Sequence, residues 1–140
     1  MAHPNEDLLR TGYAAFMEQD ISTVFGIIDP AIVWRSGDHN ALTGTFHGHD
    51  EVAAFFIKLL EVTGGTFKLT LQRIIADDSG AAVMVDATGE RDGQFYAWQE
   101  AHVWEMREGL LQVRLTFDLW DVVLQGGCLR AQEVPRGVQA

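Results

Sequence analysis

Apolar residues in the first part of the chain recur at the spacing of a helix. Between residues 5 and 19 they lie about four positions apart, and they are Leu8, Leu9, Tyr13, Phe16 and Met17. Two acidic residues stand at the start of this segment, where the helix dipole favours negative charge. The pattern predicts an amphipathic helix. A second, short helix is predicted over 20–28, because Asp29 precedes a proline and such a residue avoids helical geometry.

The clearest helical pattern begins near His49. Its apolar positions follow at i, i+3, i+4, i+7 and i+8, and they are Val52, Phe55, Phe56, Leu59 and Leu60. A pair of glycines, 64 and 65, is predicted to end this helix. Before it, residues 31–36 predict a strand, and the glycine-containing segment 37–48 predicts a loop.

The second half of the chain has the alternation and the turn residues of a β-sheet. Strands are predicted at residues 66–76, 81–91, 95–107 and 110–124, separated by short glycine-containing turns. Short turns join antiparallel neighbours, so these four strands form a predicted meander. Helices first and strands last predict an α+β fold in which helices cover one face of a curved sheet. The space between such a sheet and its helices is typical of small-ligand sites.

Composition narrows the classes of partner and location. The chain has 140 residues, a length typical of one domain. Its formal net charge of −10 disfavours nucleic acid as a partner. A single cysteine excludes an intrachain disulfide, and the sequence contains neither a signal-peptide pattern nor a membrane-length apolar run. We expect a soluble cytoplasmic protein with no membrane partner. Residues 1–124 are predicted to form the domain, and 125–140 a loosely held arm.

Two stretches resemble a known family. "LTGTFHGHDEVAAFF" (42–56) and "AHVWEMREGLLQVRLTFD" (101–118), together with the helix-helix-strand beginning, resemble the SnoaL-like polyketide cyclases and ketosteroid-isomerase-related proteins of the nuclear-transport-factor-2-like superfamily. The resemblance covers about residues 5–124. It implies a cone-shaped, cystatin-like α+β fold, in which a curved antiparallel sheet packs on three N-terminal helices.

The resemblance also sets expectations about function. It implies a pocket for a hydrophobic small molecule, a homodimer formed through the outer sheet face, and proton-transfer chemistry without a cofactor. Members include isomerases, aldol-type cyclases, epoxide hydrolases and dehydratases, and others have no chemistry at all. Because a fold does not fix an activity, two hypotheses stand: an isomerase or cyclase acting on a carbonyl compound, and a noncatalytic binding or dimerisation module.

Asp118 is the first catalytic candidate. It lies in the apolar and aromatic segment "LTFDLW", where an unpaired buried carboxylate would be costly. In the resembling cyclases an aspartate at this place on the final strand is the acid/base, and burial would raise its pKa toward a useful range. The alternatives are a carboxylate paired with an arginine such as Arg114, or one solvated at the rim of the barrel.

His102 is the second candidate. Strand alternation places one set of polar and aromatic side chains on a single face, namely Tyr96, Trp98, Glu100, His102, Trp104 and Met106. Such a face predicts either a pocket wall on which His102 orients a carbonyl group or a dimer surface, where Trp and Tyr are also enriched. A β-bulge would exchange the two faces.

Asp38 and His39 lie, by approximate spacing, where the ketosteroid isomerases carry their proton-abstracting aspartate. The loop length differs and no Asp-Pro pair follows the strand, so steroid isomerisation is disfavoured and Asp38 is equally typical of a turn. His39 remains a candidate for polarising the substrate oxygen. The Arg-Asp pairing of the resembling epoxide hydrolases would need Asp86, Arg114 and Asp118 to face inward together.

The remaining candidates are aromatic residues and two histidines. By analogy with the fold, the predicted pocket lining is Tyr13, Phe16, Trp34, Phe55, Trp104 and Trp120, with Asp38 at its mouth, although large aromatics also build ordinary cores. His47 and His49, beside Asp50, have a superficial likeness to metal ligands. Helix capping and surface hydrogen bonding explain them better, and no metal site is predicted.

Overall fold

The structure, a computed structural model, describes residues 2–36, 42, 44–118 and 132–133, with residues 115–118 and 132–133 described by their backbone alone. Within these ranges lie helices α1 (Pro4–Met17), α2 (Ile21–Gly26) and α3 (Gly48–Thr63). All three predicted helices are confirmed. A proline at the first helical position begins α1, and Gly64 ends α3 in the left-handed conformation, with φ of 58°.

Seven strands form one sheet in the described part of the chain. They are β1 (Ile28–Ser36), β2 (Gly44–His47), β3 (Lys68–Ala76), β4 (Gly80–Arg91), β5 (Gln94–Arg107), β6 (Leu110–Asp118) and β7 (Gln132–Glu133). Their spatial order is β2-β1-β6-β5-β4-β3, and β7 pairs with β5. The predicted α+β architecture of three helices on a curved sheet is therefore confirmed.

The sheet differs from the expected one in the direction of a single strand pair. Strands β3 to β6 form the predicted antiparallel meander, but β1 lies parallel to β6. The connection from the end of β1 to the start of β6 spans residues 37–109 and includes α3. This connection is long enough for a parallel crossover. The sheet is consequently mixed, and β1 brings Trp34 beside β6.

The predicted loop before α3 contains a strand. Strand β2 pairs antiparallel with β1, with Trp34 opposite Phe46. The Phe46 ring lies 5.1 Å from that of Phe55 on α3, between centroids, so packing on the helix helps to hold this short segment extended. Gly48 then turns the chain into α3 with φ of 78°, a left-handed value that favours glycine.

A β-bulge in β6 decides which of its side chains face inward. Met106 pairs with Leu111 and Glu105 with Val113, so Gln112 is an extra residue in β6. Leu111 and Arg114 are three positions apart and would face opposite sides of a regular strand, yet both are buried. The bulge therefore turns Arg114 toward the interior.

The core lies between the helices and the sheet. Its buried members include Leu9, Val24, Ile32, Val52, Phe56 and Val85. Gly12 allows α1 to approach closely, because a Cβ at that position would lie 2.5 Å from Ile27 Cδ1. Among the described helices, none is both long and apolar enough to cross a bilayer.

The predicted C-terminal arm contributes β7 to the sheet. Tyr96 and Ala97 of β5 pair with Glu133 and Gln132. The rest of residues 119–140 lies outside the described part of the chain, so the prediction of a loosely held arm over 125–140 remains a prediction there.

Candidate functional site

Three cross-strand neighbours place a guanidinium group between two indoles. Trp34 of β1 and Trp104 of β5 both pair in register with Arg114 of β6. Arg114 Cζ lies 4.1 Å from the centroid of the Trp34 ring and 6.0 Å from that of the Trp104 ring. A cation over an aromatic face is attracted by the ring quadrupole. The sheet thus holds a buried positive charge against an aromatic wall.

A chain of hydrogen bonds runs beside this row. His102, two residues before Trp104, lies 2.8 Å from Glu100 Oε1 through its Nε2 and 2.5 Å from the Tyr13 hydroxyl through its Nδ1. The Trp104 indole N–H donates to the Tyr13 oxygen at 3.1 Å. The indole of Trp98 donates to the other oxygen of Glu100. Helix α1 and strand β5 together hold these groups in a fixed order.

The partners of His102 determine where its proton lies. A carboxylate only accepts hydrogen bonds, so the nitrogen facing Glu100 carries the proton and donates it. The other nitrogen, Nδ1, then accepts from the hydroxyl of Tyr13. In this arrangement Arg114 Nη2, 3.2 Å from His102 Nε2, faces a donor instead of an acceptor.

Burial and neighbouring charges set the ionisation states of the site. Burial and the positive charge of Arg114 lower the pKa of His102, although Glu100 opposes them, so the imidazole is neutral at pH 7. Burial alone would raise the pKa of Glu100, but the hydrogen bond from His102, the charge of Arg114 and the hydrogen bond from Trp98 outweigh it, and the net shift is downward. Burial raises the pKa of Tyr13, which keeps its hydroxyl protonated. Burial also lowers the pKa of Arg114 to about 10, which leaves it charged at neutral pH.

The lowered pKa of His102 predicts a pH dependence of stability. The unfolded chain binds a proton at the ordinary pKa of 6.5, whereas the folded protein binds it only at lower pH, so protonation favours unfolding. The free energy of unfolding should fall as pH drops below about 6.5 and through the folded pKa, by at most about 1.4 kcal/mol per pH unit for this group. Urea unfolding between pH 8 and pH 5 measures this decrease in the free energy of unfolding.

The matched variant for this measurement is His102→Gln, which cannot titrate. Its stability should decrease less than that of the unmodified protein over the same range, and the difference isolates His102 from other groups. Glu100, whose pKa is also lowered, contributes its own loss only below its ordinary value of 4.5. Equal pH dependence of the two proteins would contradict the prediction.

The structure brings four of the predicted site residues together. The partly buried Tyr13 and the buried Trp34, His102 and Trp104 form one cluster, and the face of β5 that carries His102, Trp104 and Met106 is buried there. Tyr13 on α1 packs against His102 with the ring centroids 5.8 Å apart. The inner half of this face is therefore covered within the chain, whereas Tyr96, Trp98 and Glu100 on the same face are partly exposed.

The other predicted site residues have different placements. Phe16 packs on Phe56 and Phe67, and Phe55 packs on Trp34 and Phe46, within the aromatic core beside the cluster. Asp38, His39 and Trp120 lie outside the described residues. Asp118 is described by its backbone, whose Cα pairs with that of Glu100. Their roles remain predictions.

One hypothesis from the sequence is wrong. Asp86 does not join Arg114, because its carboxylate accepts hydrogen bonds from Gln72 and Gln99 on the exposed side of the sheet, whereas Arg114 faces the interior. The histidines near α3 have local roles. His49 hydrogen-bonds the carbonyl oxygen of Ile28 at 2.7 Å, and the backbone N–H of His47 donates to Glu51 at 2.8 Å.

Two site residues were not among the sequence-based candidates. Glu100 shares the predicted face with His102, so alternation alone carries a signal for it. Arg114 lies between apolar residues of β6, and a buried position was not predictable without the bulge at Gln112. The available sequence signal was that Glu100 stands two residues before the buried His102 on the same strand.

Comparison with protein families matches a model described as a SnoaL-like domain to residues 9–113. Among solved structures, Bal32a from a soil-derived mobile gene cassette is 26% identical with a TM-score of 0.78, over 90% of this chain and 96% of that one. None of the functionally curated proteins compared with the chain matches it.

Two further structures show the same fold at lower identity. An NTF2-like protein from Burkholderia pseudomallei is 22% identical, with a TM-score of 0.77 over 89% of this chain and 98% of that one. TerC co-crystallised with polyporic acid is 21% identical, with a TM-score of 0.75 over the same fractions. The similarities extend over nearly the whole of each neighbour, so the fold is shared in full.

Proposed function

The chain belongs to the SnoaL-like domain family, and from this premise we propose that it is an enzyme that transfers a proton on a hydrophobic carbonyl compound without a bound cofactor, as an isomerase or an aldol-type cyclase. The observation that carries the proposal is the buried chain Tyr13–His102–Glu100. Perturbed titratable groups held in a fixed order inside a fold are typical of acid/base sites. TerC, a fold neighbour, was co-crystallised with polyporic acid, which supports a small-molecule ligand.

The order of the hydrogen bonds suggests how the proton moves. As the oxygen of Tyr13 takes a proton from the carbon beside the substrate carbonyl, its own proton passes to His102 Nδ1. The imidazolium that forms is stabilised by Glu100, which already accepts the hydrogen bond from Nε2. The substrate electron pair moves onto the carbonyl oxygen and gives an enolate. Reversal of these transfers at another carbon isomerises the substrate, and attack by the enolate on a second carbonyl carbon closes a ring.

Electrostatics favours this reaction in the interior. The charge of Arg114 lies close to His102 and stabilises negative charge that develops on a substrate, because a fixed dipole or charge inside a protein needs no reorganisation during the reaction. Burial and the same charge lower the pKa of His102, so that the imidazole is a neutral base at pH 7. The apolar walls supplied by Trp34 and Trp104 suit a hydrophobic substrate.

Isotope exchange tests the proposal without knowledge of the natural substrate. The protein is incubated in D2O with hydrophobic ketones, beginning with 2-tetralone and 5-androstene-3,17-dione, and loss of the proton signals beside the carbonyl is followed by NMR. We expect exchange faster than in buffer. Binding of the ketones, detected by saturation transfer, without faster exchange would instead support the noncatalytic binding module.

The variant Tyr13→Phe tests the relay. It removes the hydroxyl that bridges His102 and Trp104 and leaves the stacked ring in place. The exchange rate should fall by about 10² or more, in the range that a positioned acid/base group contributes. The control is Tyr96→Phe on β5, a partly exposed tyrosine, which should retain the rate. Equal rates for Tyr13→Phe and the unmodified protein would remove Tyr13 from the mechanism.

The same exchange assay tests the sequence-based prediction that Asp118 is the acid/base. Its Cα pairs with Glu100, so it lies at the end of β6 that is nearest to the acid/base chain. If Asp118 is the acid/base, Asp118→Asn abolishes exchange while Tyr13→Phe leaves it intact. The reverse result assigns the proton transfer to the relay. The homodimer implied by the family resemblance stays a prediction, since a single chain is described.

A further inference from the structure

Three buried nitrogen atoms of Arg114 and the adjacent Trp34 make no hydrogen bond in the described part of the chain. They are Arg114 Nε, Arg114 Nη1 and Trp34 Nε1. Arg114 is 6% exposed and Trp34 is 5% exposed, so both side chains are shielded from bulk solvent. Leaving a buried donor unpaired costs about 1–3 kcal/mol, and more when the group is charged.

Glu100, the carboxylate whose charge acts on Arg114, directs its recorded hydrogen bonds elsewhere in the described cluster. Glu100 accepts from His102 with one oxygen and from Trp98 with the other. The face of Trp34 attracts the guanidinium charge but accepts no conventional hydrogen bond from its N–H groups. Unpaired buried charges are rare in proteins because their desolvation is not compensated. Among the described residues, Arg114 Nε and Nη1 therefore have no carboxylate oxygen as a hydrogen-bond acceptor.

The structure assigns this missing oxygen to the ligand. We propose that the interior site binds compounds that carry an acidic oxygen, a carboxylate or an ionised enol, whose oxygens accept hydrogen bonds from Arg114 and Trp34. Guanidinium groups pair with such anions through short, charge-assisted hydrogen bonds. The inference deepens the proposed function, on whose site it rests, by naming the substrate class: hydrophobic acids in preference to neutral ketones.

The surroundings favour an aromatic or otherwise apolar body on that acid. The Trp34 ring lies 5.6 Å from that of Trp104 and 5.6 Å from that of Phe55, between centroids. A free inorganic anion would bind the same nitrogens without using these rings. At the other end of the cluster the Glu100 side chain is 17% exposed. A hydrophobic acid with its oxygens at Arg114 would then extend toward Tyr13 and His102.

Matched acids and amides test the inference by binding alone. Benzoate and 2-naphthoate are compared with benzamide and 2-naphthamide, which have nearly the same shape but no charge, by isothermal titration calorimetry at pH 7.5. We expect each acid to bind at least ten times more tightly than its amide. Titration with sodium phosphate tests whether a free inorganic anion binds equally well, and phosphate should bind more weakly than 2-naphthoate.

Variants assign the preference to Arg114. Arg114→Met removes the charge and should abolish the preference for acids, whereas Arg114→Lys should retain part of it. Trp34→Phe keeps the ring and removes the N–H, and should weaken 2-naphthoate more than 2-naphthamide. The control is Arg107→Met, which removes an exposed arginine from β5 and should change nothing. Because Arg114→Met is the least conservative of these changes, circular dichroism first shows that it folds, and the other two variants decide the matter if it does not.

Several results would overturn the inference. They are equal affinity for acids and amides, no saturable binding of either acid at millimolar concentration, tighter binding of phosphate than of 2-naphthoate, or a preference for acids that survives in Arg114→Met. The outcome is separate from that of the proposed function. Acid binding through Arg114 without ketone exchange would keep this inference and refute the enzyme, and exchange without a preference for acids would do the reverse.

Discussion

Replacement of His102 by glutamine is expected to lower the turnover of any substrate, and the exchange of ketone protons, by about 10² to 10⁴-fold, the usual contribution of a positioned acid/base group. Glutamine can donate an amide N–H to Glu100 and accept from Tyr13, so it replaces both hydrogen bonds of the imidazole. It cannot take up the proton of Tyr13. The change thus removes the proton acceptor and disturbs the packing little.

The pH profile distinguishes a base from a structural histidine. In the unmodified protein, kcat/KM should fall on the acid side only below pH 6.5, because the pKa of His102 is lowered by burial and by Arg114. Residual activity of His102→Gln should lack this limb. His47→Gln is the control, since this exposed histidine lies at the start of α3 and away from the site. Retention of more than a tenth of the activity in His102→Gln would exclude the imidazole as the proton acceptor.

Replacement of Gly80 by alanine is expected to destabilise the fold more than any other single methyl addition considered. A Cβ at this position would overlap the carbonyl oxygen of Trp104 and press on its carbonyl carbon, at 3.1 Å, and on the Cα of Glu105, at 3.3 Å. These are backbone atoms of a paired strand, and they cannot move without breaking the ladder between β4 and β5. The free energy of unfolding should fall by roughly 3 kcal/mol or more, the range of severe core substitutions.

Chemical denaturation of Gly80→Ala measures this loss, and Gly26→Ala is the matched control. Gly26 ends α2, and a Cβ there meets no atom within 4 Å, so its stability should stay within about 0.5 kcal/mol of the original. Since the strain falls on Trp104, Gly80→Ala should also shift the near-ultraviolet circular dichroism of the indoles. An unchanged midpoint in Gly80→Ala would mean that β4 and β5 are less closely apposed than the structure has them.

Much of the fold follows from local patterns in the sequence. The helices at Pro4–Met17 and Gly48–Thr63 have apolar residues at regular helical spacing, and glycine-containing turns separate the strands of the meander. Strand β2 was missed because its four residues are too short for a recognisable alternation and depend on pairing with β1 and on contact with α3. The parallel pairing of β1 with β6 was missed because the sequences of two separate strands do not indicate which strands will be neighbours in the sheet.

The residues of the site also divide into those that local sequence patterns predicted and those that only the tertiary structure placed. Alternation along β5 was sufficient to place Glu100, His102 and Trp104 on one face, because side-chain direction in a strand is a local property. The position of Arg114 was not predictable, since one extra residue at Gln112 exchanges the faces of β6, and a bulge leaves no mark in the residue types.

By itself, then, the sequence determined the α+β class, the family and which residues share the polar face of β5, because each depends on residue types and spacings along a continuous segment. The tertiary structure decided what those residues do to one another. It placed Tyr13 of α1 on His102 and stacked Arg114 between indoles of two other strands. It also left Arg114 Nε and Nη1 without an acceptor among the residues that the structure describes. Such contacts join residues as many as 91 positions apart, and their energies depend on burial and distance, which only the folded chain defines.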